Sequence, residues 1–184
     1  MASNDLTAVR RRDRAVTDED WIRDLLRRAP VGTLGTVAGG QPFLNVNLFV
    51  YIEEDHAIYV HTARTGRTRS NVESEDRVCF AVHELGRLLP ADTALEMSAE
   101  YSGVMVFGRA AIVDDDSVAH RALQALLDKY FPHLAPERDY RPIQPEEIAR
   151  TTVYLIGIDA WSGKRKEAPA DFPGAIHFQP PKES

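Results

Sequence analysis

Most of the familiar signatures of cofactor, metal and hydrolase chemistry are missing from this sequence. It has one cysteine in 184 residues, Cys79, so no intramolecular disulfide can form, and the apolar run Val78-Cys79-Phe80-Ala81-Val82 reads as the site of a buried thiol in a reducing compartment. The six histidines, His56, His61, His83, His120, His133 and His177, are scattered, with no His-Glu-x-x-His or Cys-x-x-Cys spacing, and no metal site is predicted. Asp114-Asp115-Asp116 lacks the EF-hand spacing and reads as a helix cap. Neither standard nucleotide loop, Gly-x-Gly-x-x-Gly or Gly-x-x-x-x-Gly-Lys-Ser/Thr, is present, and no Gly-x-Ser-x-Gly elbow carries a serine nucleophile. No apolar run nears the roughly 20 residues of a membrane span, and the N-terminus lacks a signal-peptide core, so a cytoplasmic protein without a membrane partner is expected. Lys and Arg (22) are outnumbered by Asp and Glu (28), and a net charge of −6 argues against a nucleic-acid partner, which would require an extended basic surface.

What is present is enough for one core: 43% of residues are apolar and 27% charged. Residues 1–15 are basic and aperiodic, a flexible arm; residues 16–165 form the expected domain, and 166–184 a proline-rich extended tail. Thr17 is placed to cap a first helix whose opening acids Asp18, Glu19 and Asp20 suit the helix dipole, with Trp21, Ile22, Leu25, Leu26 and Ala29 as its apolar face and Pro30 as its stop. Asp114–Ser117 caps a second helix reaching about Tyr130. Between and after them lie about six strand patterns with hairpin-like spacing early in the chain, which points to a six-stranded antiparallel barrel with peripheral helices, mainly β within an α+β class.

Two stretches stand out chemically. From Phe43 to Ile52 the even positions Leu44, Val46, Leu48, Val50 and Ile52 are aliphatic and read as core, while the odd positions alternate aromatics with Asn45 and Asn47. That second face suits solvent, a subunit contact, or a planar heterocycle gripped by rings and oriented by amides. The second stretch, Tyr59 to Asn71, reads as a strand running into an arginine-rich turn. Arg67 and Arg69, with Arg64, can offer forked donors to a phosphate; Thr62, Thr65 and Thr68 add hydroxyls, and Gly66 lets backbone amides approach. A solvated turn is the alternative reading of the same residues. Asn71-Val72-Glu73-Ser74 suggests a helical turn behind it, and Gly103 and Gly108 mark a bulge or close backbone approach in a long bent strand from Ser98 to Val113.

The order of these features resembles the pyridoxamine 5'-phosphate-oxidase-like flavoproteins with an FMN-binding split β-barrel, particularly their nitroimidazole-reductase-like branch. The resembling motifs are Ala29-Pro30-Val31-Gly32-Thr33-Leu34-Gly35-Thr36, Ile58-Tyr59-Val60-His61-Thr62-Ala63-x-x-Gly66-Arg67, Arg77-Val78-Cys79-Phe80, Tyr101-Ser102-Gly103-Val104-Met105-Val106-Phe107-Gly108, Lys129-Tyr130-Phe131-Pro132 and Trp161-Ser162-Gly163-Lys164. The resemblance implies a homodimer with FMN, or alternatively a deazaflavin, bound at two interface sites. It assigns Asn45, Val46 and Asn47 to the flavin ring and His61, Thr62, Ala63, Gly66, Arg67 and Thr68 to the ribityl phosphate, beside Arg69, while Trp161 and Lys164 match positions that approach the flavin from the second subunit. Two departures are that no proline occurs in the strand from Phe43 to Ile52, and that arginine and threonine stand at Arg67 and Thr68 where lysine is common. The implied activity is an FMN-dependent oxidoreductase passing electrons to a small organic acceptor such as a nitroaromatic, with no side chain assigned as catalytic; the alternative is a non-catalytic flavin, deazaflavin or tetrapyrrole binder on the same dimeric barrel.

Overall fold

Asp18 starts the first helix, α1 (Glu19–Arg28), by accepting from the amides of Asp20 and Trp21, one residue later than the Thr17 cap expected from sequence. The computed structural model, which describes residues 5–180, then runs through β2 (Gly32–Ala38), β3 (Gln41–Asn47), β4 (Phe49–Ile52), β5 (Ala57–Ala63), α2 (Arg67–Ser74), β6 (Arg77–Leu89), β7 (Ser98–Ile112), α3 (Asp116–Tyr130), α4 (Pro145–Ile148) and β8 (Thr151–Lys166). Two short strands flank these, β1 (Ala15–Val16) on β8 and β9 (Ile176–His177) on β6. All the ladders are antiparallel, in the order β3-β2-β6-β7-β8-β5-β4. The fold is the open, split antiparallel barrel with peripheral helices that the sequence suggests.

The strand read as Phe43–Ile52 is in fact two. β3 pairs with β2 and β4 with β5, so the two lie at opposite edges of the sheet, and Leu48 between them turns the chain across the gap. Tyr130 pins this corner: its hydroxyl accepts from the Phe49 amide (3.0 Å) and directs its proton at the carbonyls of Pro30 (2.9 Å) and Phe49 (3.1 Å). The break reverses the expected faces. Leu44, Val46 and Leu48, read as core, are 67%, 67% and 47% exposed, whereas Asn47 turns inward and Phe49 is fully buried. Alternation identifies two faces but not which one the rest of the sheet covers. Here the inner side of β3 packs beneath α2, and the aliphatic side looks out.

The barrel interior is filled by Leu34, Phe49, Ile58, Val60, Phe80, Val82, Val104, Val106, Tyr154 and Ile156, with Ile22, Leu25 and Leu26 of α1 joining this core. A second layer forms where α3, capped by Asp115, lays Ala119, Ala122 and Leu126 against Val50, Ala57, Tyr59 and Val153 on the outer side of β4, β5 and β8. The outward side of β2, β3, β6 and β7 carries no such helix among the described residues, and Cys79, expected to be buried, sits half-exposed there opposite Gly35 and Phe107.

Other strands outrun their sequence signals. β6 continues past His83 to Leu89 through a register shift between Leu85 and Leu88, although residues 84–97 carry no strand period in the sequence. β8 runs on past Ile158 through Trp161 and Lys164, with a shift opposite Phe107 and Gly108. Gly108 is required at that point, because a Cβ would overlap the carbonyl oxygen of Gly157. Residues 167–180, expected to be extended, instead turn at Pro169–Phe172 and Phe172–Ala175 before β9; Arg87 binds Glu100 through two nitrogens (2.7 and 2.9 Å) and donates to the carbonyls of Ala168, Pro169 and Ala170, fastening this tail to the β6–β7 hairpin. Of the arm expected over 1–15, residues 1–4 fall outside the described residues; from Ala8 to Arg10 the chain borders a groove over β6–β8, and Arg14 donates to the Tyr101 hydroxyl at 3.1 Å.

Candidate functional site

The inward-facing side chains of β3 and the start of α2 meet at one end of the barrel. The helical turn expected at residues 71–74 proves to be the second half of α2, whose first residue is Arg67. Gly66, at φ +140° and ψ 173°, turns the chain from β5 into this helix with a backbone that side chains rarely adopt. Asn71 Nδ2 donates to Thr36 Oγ1 (2.8 Å) and Asn45 Nδ2 to Thr68 Oγ1 (3.2 Å), so two amide–hydroxyl pairs dock the helix on β2 and β3. Each is worth about 1 kcal/mol net and, being largely buried, would cost more if broken on one side.

The N-terminus of α2 differs from its counterparts. Aspartates accept from the first free amides of α1 and α3, but no side chain caps α2. The first intrahelical bond runs from Ser70 N to Gly66 O (3.1 Å), so the amides of Arg67, Thr68 and Arg69 point out of the helix end. The chain therefore offers these three donors, and the positive end of a helix dipole, to an acceptor that is not one of its own side chains.

The three arginines around this end are in different situations. Arg64 donates to the Ala149 carbonyl (2.7 Å), and Arg69 is held by Glu73 (2.7 Å) and Thr152 Oγ1 (3.2 Å). Arg67 has no hydrogen-bond or ion-pair partner among the described residues; its guanidinium lies over the Phe43 ring, 4.8 Å from the centroid. Phe43 thus holds the one uncommitted guanidinium, a role sequence reading did not assign; its position on the Asn45 face of β3 was the available signal.

Thr62 and Ala63 end β5 beside this turn, with Thr62 Oγ1 near the Ala63 carbonyl (2.9 Å) and Tyr154 OH (3.1 Å). His61 points the other way, into a cleft lined by Leu123, Leu126 and Leu127 of α3; that wall desolvates the imidazole and lowers its pKa although the residue stays exposed overall. Asn47 is buried with its Oδ1 unpartnered, and Val46 faces outward. Trp161 stacks edge-on with Tyr51 (6.4 Å) and His56 (4.9 Å), under the Arg23 guanidinium. Lys164 Nζ sits 5.4 Å from the Tyr101 ring centroid and borders a groove of about 630 Å³ on the outer face of β6–β8. One chain therefore gathers Asn45, Thr62, Ala63, Gly66, Arg67, Thr68 and Arg69 around the α2 end, while His61, Trp161 and Lys164 have other surroundings.

The split antiparallel barrel thus presents an uncapped helix end with a free arginine beside it, an arrangement suited to an anion. The chain belongs to the pyridoxamine 5'-phosphate oxidase family, whose model matches residues 18–165. Among solved structures it is similar to the flavocytochrome Anf3 from Azotobacter vinelandii, at 25% identity over 98% of this chain and 89% of that one, with a TM-score of 0.77. It also resembles an FAD- and heme-binding protein from Mycobacterium smegmatis (23% identity, 84% of this chain, 74% of that one, TM-score 0.73). A third similar structure, provisionally assigned to 5-nitroimidazole antibiotic resistance in Bacteroides thetaiotaomicron, gives 18% identity over 82% of this chain and 86% of that one, with a TM-score of 0.68. A search of curated proteins gave no match. Among the described residues no helix is long and apolar enough to cross a membrane, and no cluster of three or more His, Cys, Asp or Glu could hold a metal ion.

Proposed function

We propose that this protein is an FMN-dependent oxidoreductase that acts as a homodimer and reduces a small organic acceptor such as a nitroaromatic. The observation that carries the reading is the α2 N-terminus, which three backbone amides and Arg67 leave open to an anion while both other long helices are capped by their own aspartates. One helix end with one free guanidinium suits a single terminal phosphate. The family and the flavin-binding proteins among the similar structures support a flavin as its bearer.

The residues present fit such a group. The amides of Arg67, Thr68 and Arg69 and the Arg67 guanidinium would hold the phosphate, and the unpartnered Asn47 Oδ1 supplies an acceptor for a ring N–H on the same strand as Asn45. A bound flavin supplies two-electron redox chemistry; the chain's part is to bind and orient it and to shield it from water. The second copy would cover the outward face, where the register places Leu44, Gly35, Cys79 and Phe107 in one row and Val46, Thr33, Ala81 and Met105 in the next. An exposed aliphatic patch of this kind marks an interface more often than a solvated surface. Lys164 lies opposite Gly103 on the same face, and in such a dimer it would approach a flavin held by the partner.

Titration of the purified protein with FMN, followed by flavin fluorescence, tests the reading; bleaching by a reductant and recovery on adding a nitroaromatic would establish turnover. Failure to load FMN, FAD or a deazaflavin would overturn it. A second reading, a tetrapyrrole-binding protein on the same barrel, is favoured by the groove beside Lys164, and two of the similar structures are a flavocytochrome and an FAD- and heme-binding protein.

A further inference from the structure

The four-proline segment from Phe131 to Glu146 contributes nothing to the α2 end, and part of it folds over a cleft on the outer side of β5. Its shape is set from within. The Asp139 amide donates to the Ala135 carbonyl (2.9 Å) while the Asp139 carboxylate accepts from the Ala135 amide (2.8 Å), and the Glu137 amide donates to the Tyr140 carbonyl (2.8 Å). Pro145 then opens α4. A roof organised in this way loses little further freedom when a molecule enters beneath it.

The floor follows from strand alternation. β5 carries Ala57, Tyr59 and His61 on its outer side, and the first two are packed against α3. His61, opposite Val153, lies past that packed row. It faces Leu123, Leu126 and Leu127 across a cavity of about 340 Å³ that Tyr140 and Ile143 border from the proline segment, a volume at the small end of the range for ligand clefts.

The polar groups around this space divide into spent and free. Arg141 and Glu147 are ion-paired at 2.9 Å, and Glu147 also accepts from the Gln144 amide at 2.8 Å, so the two charges on the rim satisfy each other. Thr151 gives its hydroxyl proton to the Glu147 carbonyl (2.9 Å). His61 makes no side-chain hydrogen bond among the described residues, and the leucine wall keeps its imidazole neutral at pH 7, with one nitrogen an acceptor and the other a donor. The Tyr140 hydroxyl accepts from Gln124 Nε2 (2.8 Å), which leaves its own proton to donate. A charged ligand would meet no unspent counter-charge here, whereas an uncharged one with a single hydroxyl finds an acceptor and a donor above an apolar wall.

We propose that this cleft binds a small uncharged aromatic hydroxyl compound, a phenol in its simplest form, with the ring against Leu123, Leu127 and Ile143, the hydroxyl proton given to His61 and the oxygen accepting from Tyr140. His61 and Thr62 point to opposite faces of β5, so the site is separate from the α2 end, and it lies away from the outward side of β2, β3, β6 and β7. The proposal therefore depends on neither the flavin nor the dimer.

The test is a titration of para-fluorophenol followed by fluorine NMR, on the full chain as purified and again with saturating FMN. Saturable binding at one site is expected in both. Para-cresol should displace the probe about two- to tenfold better than toluene, which has the ring without the hydroxyl, and better than benzoate. His61→Leu should keep ring binding but lose most of the preference for para-cresol, and adding Tyr140→Phe should remove the rest. Leu127→Trp, which fills the cleft, should abolish binding of both. Circular dichroism checks the fold of each variant. No saturable binding by the wild type, benzoate competing as well as para-cresol, a para-cresol preference unchanged in His61→Leu, or binding untouched by a folded Leu127→Trp would overturn the proposal; so would binding only with FMN present, which would place the probe on the flavin.

Discussion

Removing the Arg67 side chain should weaken FMN binding about 10- to 150-fold, because a hydrogen bond to a charged partner contributes about 1.5–3 kcal/mol and 1.4 kcal/mol is a factor of ten. The structure separates this residue from its neighbours. Arg64 and Arg69 already spend donors on Ala149, Glu73 and Thr152, so each would have to give up a bond of 2.7 Å to reach a ligand. Among the described residues Arg67 has no such bond to break, and stacking on the Phe43 ring leaves its in-plane donors free. Arg64→Ala should therefore change the dissociation constant by less than about threefold, since what it loses is spent within the chain. Phe43→Leu should cost about 0.5–1 kcal/mol, or two- to fivefold, by releasing the guanidinium from its ring. If the ring acts only by positioning Arg67, the Phe43→Leu, Arg67→Ala double variant will bind no worse than Arg67→Ala alone. Arg67→Lys should fall between, keeping charge but losing the fork. Quenching of flavin fluorescence at fixed ionic strength measures all five. Binding by Arg67→Ala equal to wild type, or a larger loss in Arg64→Ala, would refute the assignment of the phosphate to the α2 end.

Other outcomes follow from other parts of the molecule. Glutamate at Leu44 or Val46 should convert a dimer to monomers in light scattering while leaving the circular dichroism of the barrel intact, since both residues are 67% exposed in one chain. Glu100 is held down to about 2, chiefly by its hydrogen bonds from Arg87, below the ordinary value of about 4.3. A depressed carboxylate stabilises the fold above its unfolded pKa, so Glu100→Gln should lower the urea midpoint at pH 7, and the difference should close as the pH falls from about 4.3 towards 2, with proteolysis of the tail at 167–180 rising in step. Lys129 Nζ is buried over Phe49 without a hydrogen-bond partner, and burial lowers its pKa to about 8. Its native form sheds a proton that the unfolded chain keeps up to about 10.4, so wild-type stability gains with pH across that window. Lys129→Met should raise the urea midpoint at pH 7, by a margin that shrinks from pH 8 to 10.

What could be read in the sequence was mostly local. Asp115 and the stripe Ala119, Ala122, Leu126 announce α3 because capping and helical periodicity are short-range effects. The turn at Gly66 is legible for the same reason, though not that α2 begins at once at Arg67, and Gly108 is legible as a point of close approach. Properties set by distant partners were not legible. Whether Leu44 or Phe43 faces inward depends on which side α2 covers, and nothing between residues 41 and 52 encodes that. The continuation of β6 past His83 is hidden because the shift between Leu85 and Leu88 breaks the alternation that would reveal it. At the candidate site, which arginine is free follows from Glu73, Ala149 and Thr152, two of them about 80 residues away. His61 was grouped with Thr62 by adjacency, but neighbouring strand residues point to opposite faces and its ring meets α3 instead.

The corner at Leu48 has a consequence for how the chain could be cut. β3 and β4 occupy the two rims of the sheet and are joined by this one residue, so what shuts the barrel there is a covalent tether, not a ladder. New termini placed at Gly39-Gly40 would free only the far end of a hairpin that stays zipped from Gly32 to Ala38. A circular permutant opened at Leu48 would let both rims part and offer their bare backbone edges to a neighbouring molecule, inviting strand exchange. The residue that looked like one more core aliphatic is the latch that keeps the sheet from being shared.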